Sequence, residues 1–328
     1  MSLFPFSVGE WMLYLAVLYL MADLLLCIPA LIWRKSRAGT YLRKWLSAVP
    51  GVVTGVCLIM TLNCTILYHC TSLEKQITGQ LAENEIFDEG QLIALREKIV
   101  KNCNALAEEM TRDGQGYIVY EGDAGMGQDA IAAMQELAVQ YPRLGGYYPN
   151  PKPFAMSWFF SQQYMCGYYF PFSMEANYND MMYIMNLPYT MCHELAHIKG
   201  YIYEDEANFL AYLACINSDD AFMQYSGYLG VLYYVENALQ QLSGTYSQGI
   251  TDGTLTPVTQ QVYRDGCFLT EEAWNEVEKK SFFSTDFVRN ASDAFLENNL
   301  TVNGVEDGIN SYSRVVRLML IYEQMEKE

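Results

Sequence analysis

Two long apolar segments near the N-terminus constrain this chain more than any other feature. Residues 11–33 and 46–68 are each mostly apolar, and about 20 such residues are enough for a helix to cross a hydrocarbon core roughly 30 Å thick. A cleavable signal peptide needs a basic residue ahead of its apolar stretch, and residues 1–10 contain no Lys or Arg. The sequence therefore predicts a membrane anchor over residues 1–70 with two transmembrane helices.

The loop between the two segments predicts their orientation. It is basic and holds no acidic residue, and loops of that kind stay in the cytoplasm. Residues 71–328 are then expected to form one extracytoplasmic domain of a multi-pass protein of the cell membrane, with the lipid bilayer as a partner. The basic residues of the loop are Arg34, Lys35, Arg37, Arg43 and Lys44.

The charge balance argues against nucleic acid as a partner. The chain has a formal net charge of -18, and only Glu10 and Asp23 of its 38 acidic residues precede Cys70. The predicted outer domain is therefore strongly acidic, and it has little with which to neutralise phosphates.

Apolar periodicity and turn residues predict a mainly α-helical domain with a small β-sheet. Helices are expected over about 73–110, 128–141, 189–199, 204–216, 220–242 and 311–325. The aromatic stretch 154–178 is broken by Gly167 and Pro171, which favours short strands there.

The motif that carries chemistry is His193-Glu194-Leu195-Ala196-His197. Residues four apart share one face of a helix, so both imidazoles can bind one ion. Neutral imidazoles suit Zn²⁺, and the Glu after the first His can reach a water on the open position of the metal. The whole chain has three histidines and the motif uses two of them, which makes a chance pairing improbable.

A zinc site that keeps one position open needs a third protein ligand. The remaining histidine, His69, lies at the membrane edge, so the ligand should be a carboxylate, either Glu204 or Glu206. Gly200 supplies the chain break that lets either residue return to the metal. Glu204 is preferred because Asn208 lies four residues further on the same helical face and could hydrogen-bond a metal ligand. Glu206 is held in reserve.

These residues resemble known families. The HExxH motif followed by a Glu-x-x-Ala-Asn helix resembles the gluzincin pattern of zinc peptidases. Nearly the whole chain, including the two spans, resembles the bacterial family called domain of unknown function 3810. The similarity is carried by Gly167-Tyr168-Tyr169, Pro171-Phe172-Ser173-Met174-Glu175-Ala176-Asn177, Pro188-Tyr189, the HExxH motif and Glu204-Asp205-Glu206-Ala207-Asn208-Phe209-Leu210-Ala211-Tyr212.

The resemblance implies a zincin-like membrane protein of undetermined substrate. It also implies an edge strand over Pro171–Asn177, just ahead of the zinc helix, that pairs with an extended peptide. Glu175 and Asn177 are then candidates for the substrate cleft, with a structural turn as an equal alternative. Tyr201 is a candidate to donate its phenol to an oxyanion, as are Tyr169, Tyr178 and Tyr203.

The expected function is therefore that of a membrane-anchored zinc metallopeptidase. His193, His197 and Glu204 would hold Zn²⁺, and Glu194 would act as general base toward the zinc-activated water. Peptides or proteins outside the cytosol would be the substrates. The alternative is a catalytically inactive zincin-fold receptor or scaffold at the cell envelope, in which Glu194 can be replaced without loss of function. A hydrolase with one dedicated partner is a further alternative, and it predicts no cleavage of generic peptides.

Overall fold

A computed structural model describes residues 4–32, 36–78, 88–120, 125–242, 244, 246–290, 292 and 312–327. These residues are mainly helical, with one small sheet in the middle of the sequence. The helices are α1 (Val8–Ile32), α2 (Ser36–Met60), α3 (Ile66–Tyr68), α4 (Leu73–Thr78), α5 (Glu89–Glu109), α6 (Met126–Leu137), α7 (Ser157–Ser161), α8 (Leu187–Ile198), α9 (Glu204–Ile216), α10 (Ala221–Leu242), α11 (Tyr246–Asp252), α12 (Gln260–Asp265), α13 (Glu271–Lys280), α14 (285–290) and α15 (Tyr312–Met325).

Most helices lie where the periodicity predicts them, with three differences. α2 begins at Ser36, so Arg37, Arg43 and Lys44, which were predicted for the loop between the spans, lie in this helix. The helix expected over 73–110 is present as α4 and α5, and residues 79–87 between them lie outside the described part of the chain. The aromatic stretch 154–178 contains the short helix α7 as well as strands. An Asp88 capping box starts α5, because its carboxylate accepts the Gln91 amide while the Gln91 side chain accepts the Asp88 amide.

Two helices are long and apolar enough to cross a membrane. Their apolar windows are Val8–Leu25 in α1 and Arg43–Tyr68 in α2, which continues through a π-helical turn (Thr61–Thr65) into α3. The second window contains the predicted 46–68, whereas the first begins before the predicted 11–33. Apolar side chains along both helices are exposed, including Leu18, Leu24 and Leu58, as helices surrounded by lipid require.

The core of the remaining chain is built around α8, α9 and α10, which pack against one another. Leu195 of α8, Phe209 of α9 and Val231 of α10 are fully buried. The α5 helix covers α10, and α15 covers α9. The two helices that carry the chemical motifs are therefore held on several sides by apolar packing.

The sheet has the order β1-β3-β2, formed by Lys152–Pro153, Glu175–Tyr178 and Gly167–Phe170 respectively. β1 is parallel to β3, while β2 and β3 form an antiparallel pair with Phe170 opposite Glu175. The prediction of an edge strand within Pro171–Asn177 is wrong, because β3 is the central strand and β1 pairs with its other side. Among the described strands, β2 is the outer one beside α8.

Candidate metal centre

Three side chains with metal-binding atoms converge between α8 and α9. His193 and His197 lie one turn apart on α8 with ring centroids 4.6 Å apart. Glu204 is the first residue of α9, and one ligand atom from each of the three lies within 4.8 Å of the others. Of the two carboxylates weighed from the sequence, the structure brings Glu204 to the histidines.

The donor spacing fits one small tetrahedral ion. Glu204 Oε2 lies 3.1 Å from His193 Nε2, and Glu204 Oε1 lies 3.6 Å from His197 Nε2. Ligands at about 2.0–2.2 Å from a tetrahedral zinc are separated by roughly 3.3 Å. The three groups can therefore bind a common ion with small side-chain adjustments.

The end of α8 fixes the orientation of the second histidine. Gly200 has a φ of 83°, its amide donates to His197 O at 2.9 Å, and the Tyr201 amide donates to Ala196 O at 3.2 Å. This is a Schellman motif, which needs a left-handed residue such as glycine. It places the Tyr201 carbonyl 2.7 Å from His197 Nδ1. With Nδ1 donating to that carbonyl, Nε2 carries the lone pair toward Glu204 and a metal.

Electrostatic interactions between the metal-binding side chains shift the pKa values of His197 and Glu204. Burial disfavours a charged imidazole, but the Glu204 carboxylate outweighs burial and raises the pKa of His197 to about 9. Burial acts to raise the pKa of Glu204, yet the two histidines hold it well below its usual range. A metal ion would replace the shared protons, because imidazoles bind metals in their neutral form.

Glu194 is a buried acid beside this cluster. Its side chain is 4% exposed, and Oε2 has no hydrogen-bond partner among the residues that the structure describes. Burial raises the pKa of Glu194 to about 7, although His193 and His197 act in the opposite direction. A buried carboxylate with a free oxygen next to three metal-binding atoms is suited to accept a proton from a water at the site.

Gly167 of β2 makes room for Glu194. A Cβ atom at this position would lie 2.5 Å from Glu194 Oε1 and 2.8 Å from Asn177 O. Only glycine allows the strand to approach the carboxylate this closely. The outer strand and the HExxH helix therefore meet at Glu194.

Two other residues predicted for the site have different partners. The Glu206 carboxylate accepts the Leu73 amide at the start of α4, so it ties α9 to the segment that follows the second apolar helix. Asn208 Oδ1 accepts the Tyr189 hydroxyl at 3.0 Å. The structure thus brings Asn208 to α8 through Tyr189, and no described hydrogen bond joins it to a metal-binding residue.

The three residues predicted for the cleft have side-chain contacts outside the cluster. Glu175 is buried and pairs with Lys152 at 2.6 Å. The buried Asn177 donates its Nδ2 to Tyr168 O at 3.3 Å. The Tyr201 ring lies under the Arg143 guanidinium at 4.7 Å. Tyr201 does contribute to the site, but through its backbone carbonyl.

Sequence reasoning missed the roles of Gly167 and the Tyr201 carbonyl. The signal for the carbonyl was present, since a Gly directly after a helix predicts a Schellman motif and fixes which backbone groups face the last turn. Gly167 offered only the general signal of a glycine inside a strand, which indicates a close approach of some other group.

The site and fold define a class: a mainly helical protein with two helices able to cross a membrane and a His-His-Glu cluster formed by an HExxH helix and the helix that follows it. The chain belongs to the family described as protein of unknown function (DUF3810), whose model matches residues 1–320. No curated protein and no solved structure matches the chain.

Proposed function

We propose that this protein is a membrane-anchored, zinc-dependent peptidase of zincin-like architecture. The observation that carries the proposal is the convergence of His193, His197 and Glu204 beside the unpartnered carboxylate of Glu194. Two imidazoles and one carboxylate form a donor set that suits a catalytic zinc with an open position. When bound, zinc would polarise the scissile carbonyl and make an attacking water more acidic.

The residues of the chain would supply binding and proton transfer. The Tyr201 carbonyl holds His197 in the tautomer that a metal ligand needs. Glu194 takes a proton from the attacking water and passes it to the leaving nitrogen. Its burial beside the three metal-binding side chains suits a group that must accept a proton and then donate it at the site.

The outer edge of β2 would bind the substrate backbone. Cys166 O accepts the Asn179 amide at 2.8 Å, so the backbone groups of Cys166 point toward β3. In an antiparallel pair the direction alternates along the strand, which turns the backbone of Gly167 and Tyr169 toward the outer edge. An extended peptide could pair there as an added strand, with its backbone next to Glu194.

The chain would lie in the membrane with its large domain outside the cytosol. Two contacts join the start of α1 and the end of α3 to the domain, which supports this arrangement: Gly9 donates to Glu175, and Tyr203 donates to the Tyr68 carbonyl. Arg37, Arg43 and Lys44 lie in the N-terminal part of α2, far along the helix from Tyr68, and basic residues there favour the cytoplasm.

The test is zinc content per chain in the full-length protein, purified in nanodiscs as wild type, His193→Ala and Glu194→Gln. We expect about one zinc in wild type and Glu194→Gln, and little in His193→Ala. Peptide hydrolysis by wild type and none by Glu194→Gln would complete the case. A folded wild type without zinc would refute the proposal, and a Glu194→Gln variant that keeps full biological function would favour the inactive scaffold.

A further inference from the structure

The end of the second apolar helix forms part of the wall around the candidate metal centre. The Tyr68 ring packs edge-on against Tyr203 at 5.3 Å, and the Tyr203 hydroxyl donates to Tyr68 O at 2.6 Å. Tyr203 directly precedes Glu204. Leu67 approaches Gly200, since a Cβ at Gly200 would lie 3.1 Å from Leu67 Cδ2. The chain therefore leaves the membrane beside the residues that would hold the metal.

The turn between β2 and β3 contacts the second apolar helix at a position nearer to the middle of that helix than Tyr68. Asn63 Nδ2 donates to Pro171 O at 2.6 Å, and Asn63 precedes Tyr68 by five residues, or about 7–8 Å along a helix. On its other side the turn touches the start of α1, where a Cβ at Gly9 would lie 2.6 Å from Ser173 Oγ. The turn is thus held between the two helices near the ends that contact the domain, where a bilayer around these helices would have its interface.

The side chains exposed by this turn are apolar. Phe172 and Met174 are each 39% exposed, although they belong to a tight turn, where polar residues are the rule. Phe6 and Trp11 at the start of α1 are also exposed, and aromatic residues are typical of the membrane interface. A turn with this composition in this position is suited to contact lipid.

β2 connects the interface to the site. Its membrane end, Phe170, adjoins the turn, and its other end, Gly167, abuts Glu194. These ends are three residues apart, which is about 10 Å in a strand. A peptide paired with the outer edge of β2 would therefore reach from the bilayer to Glu194 in three to four residues.

We infer that the substrates are polypeptides anchored in the same membrane, and that they are cut about three to five residues from the point where they leave the bilayer. This inference rests on the proposed peptidase function and adds the substrate class to it. The membrane would hold the segment next to a substrate's anchor at the Phe170 end of β2, which raises the local concentration of that segment there. A free peptide has no such advantage.

The experiment uses full-length protein in lipid vesicles together with a single-span model polypeptide. Its outer flank is a segment of about eight residues of degenerate sequence, and the same segment is supplied separately as a soluble peptide. Mass spectrometry maps the cuts, with Glu194→Gln protein as the background. We expect the anchored flank to be cut about 10-fold faster or more, with cuts grouped about three to five residues from the span.

A spacer version separates membrane distance from sequence preference. Inserting about four Gly and Ser residues between span and flank should leave the cut at the same distance from the bilayer, now within the spacer or at the start of the flank. Equal cutting of the soluble peptide, or a cut that moves outward with the flank, would overturn the inference and leave the peptidase proposal standing. Absence of cutting in both substrates would refute the two together.

The turn itself can be tested by Phe172→Asp. A carboxylate at the interface should draw the turn out of the lipid and slow cutting of the anchored flank about 10-fold, with cutting of the soluble peptide unchanged. Tyr263→Asp is the control, because Tyr263 is 65% exposed on α12, away from the turn, and should change neither rate. If Phe172→Asp slowed the cutting of both substrates equally, the turn would serve only the fold, contrary to the inference.

Discussion

A buried carboxylate lies at each end of the β2–β3 pair, and the two differ in their contacts: one is ion-paired and hydrogen-bonded, and the other has an unpartnered oxygen among the described residues. At the end near the turn, Glu175 pairs with Lys152 at 2.6 Å and accepts the Gly9 amide at 2.8 Å. At the other end, Glu194 packs against Gly167 with one oxygen unpartnered among the described residues. Burial acts to raise both pKa values, but the Lys152 and Gly9 contacts lower that of Glu175, whereas that of Glu194 rises to about 7.

The difference shows that burial alone does not identify a chemically active acid. Glu175 has an ion pair and a backbone hydrogen bond that stabilise its charge, and the hydrogen bond attaches the start of α1 to the sheet. Glu194 lacks such contacts, so its burial costs free energy that the fold must supply elsewhere. Groups of that kind are candidates for function rather than for stability.

The largest expected effect is the loss of hydrolysis in Glu194→Gln. Gln has the same shape but cannot accept a proton, so the rate should fall by about 10²–10⁴-fold. The zinc content should be unchanged, and the melting temperature should be unchanged or higher, since an unpaired buried acid is removed. Initial rates on the anchored polypeptide and thermal unfolding of the same samples measure both. A variant as active as wild type would show that Glu194 is not the base.

Glu175→Ala should mainly affect stability. It leaves the Lys152 ammonium buried without its carboxylate, and breaking a buried pair in this way costs about 3–5 kcal/mol. Denaturant unfolding of the full-length protein in nanodiscs would measure the loss. Glu276→Ala is the matched control, because the Glu276–Lys279 pair is exposed and its loss should cost far less than that of the buried pair. Equal losses in the two variants would contradict the structural role assigned to Glu175.

The third prediction tests whether Glu204 or Glu206 is the metal ligand. Glu204→Gln should weaken zinc binding by about 100-fold or more, since loss of a ligand should cost at least as much as loss of its supporting contacts. Glu206→Gln should leave zinc affinity within a few-fold of wild type, because its side-chain oxygen can still accept the Leu73 amide. Competition with a chromogenic chelator measures both affinities. The opposite order would make Glu206 the ligand.

The sequence predicted the helices and the convergence of His193, His197 and Glu204 because those features depend on local rules. Helical periodicity sets the His spacing, and Gly200 ends α8 in a way that brings the next helix back. The two apolar runs likewise predicted the two long N-terminal helices, although α2 begins at Ser36, within the stretch that was predicted as a loop.

The strand order and the partners of Glu175 were not predictable in the same way. The position of β3 in the middle of the sheet depends on Lys152–Pro153, a two-residue strand with no periodic signal. The pairing of Glu175 with Gly9 joins residues 166 positions apart, and no local pattern encodes a contact at that separation. For the same reason, the sequence did not show that Leu67 and Tyr68 approach the candidate metal centre.

The smallest expected effect is the pH dependence of the contact between Glu175 and the start of α1. The pKa of Glu175 is lower in the folded protein than its ordinary value, so its stabilising contribution is fully present above the unfolded pKa, about 4.3. It is lost as the pH falls through the lower, folded value. Glu175→Gln cannot titrate, so the stability difference between wild type and this variant should be constant from neutral pH down to about 5 and shrink below about 4. Thermal unfolding of both proteins across this range measures the difference, and a difference that stays constant or grows as the pH falls would show that Glu175 is not held in its charged form.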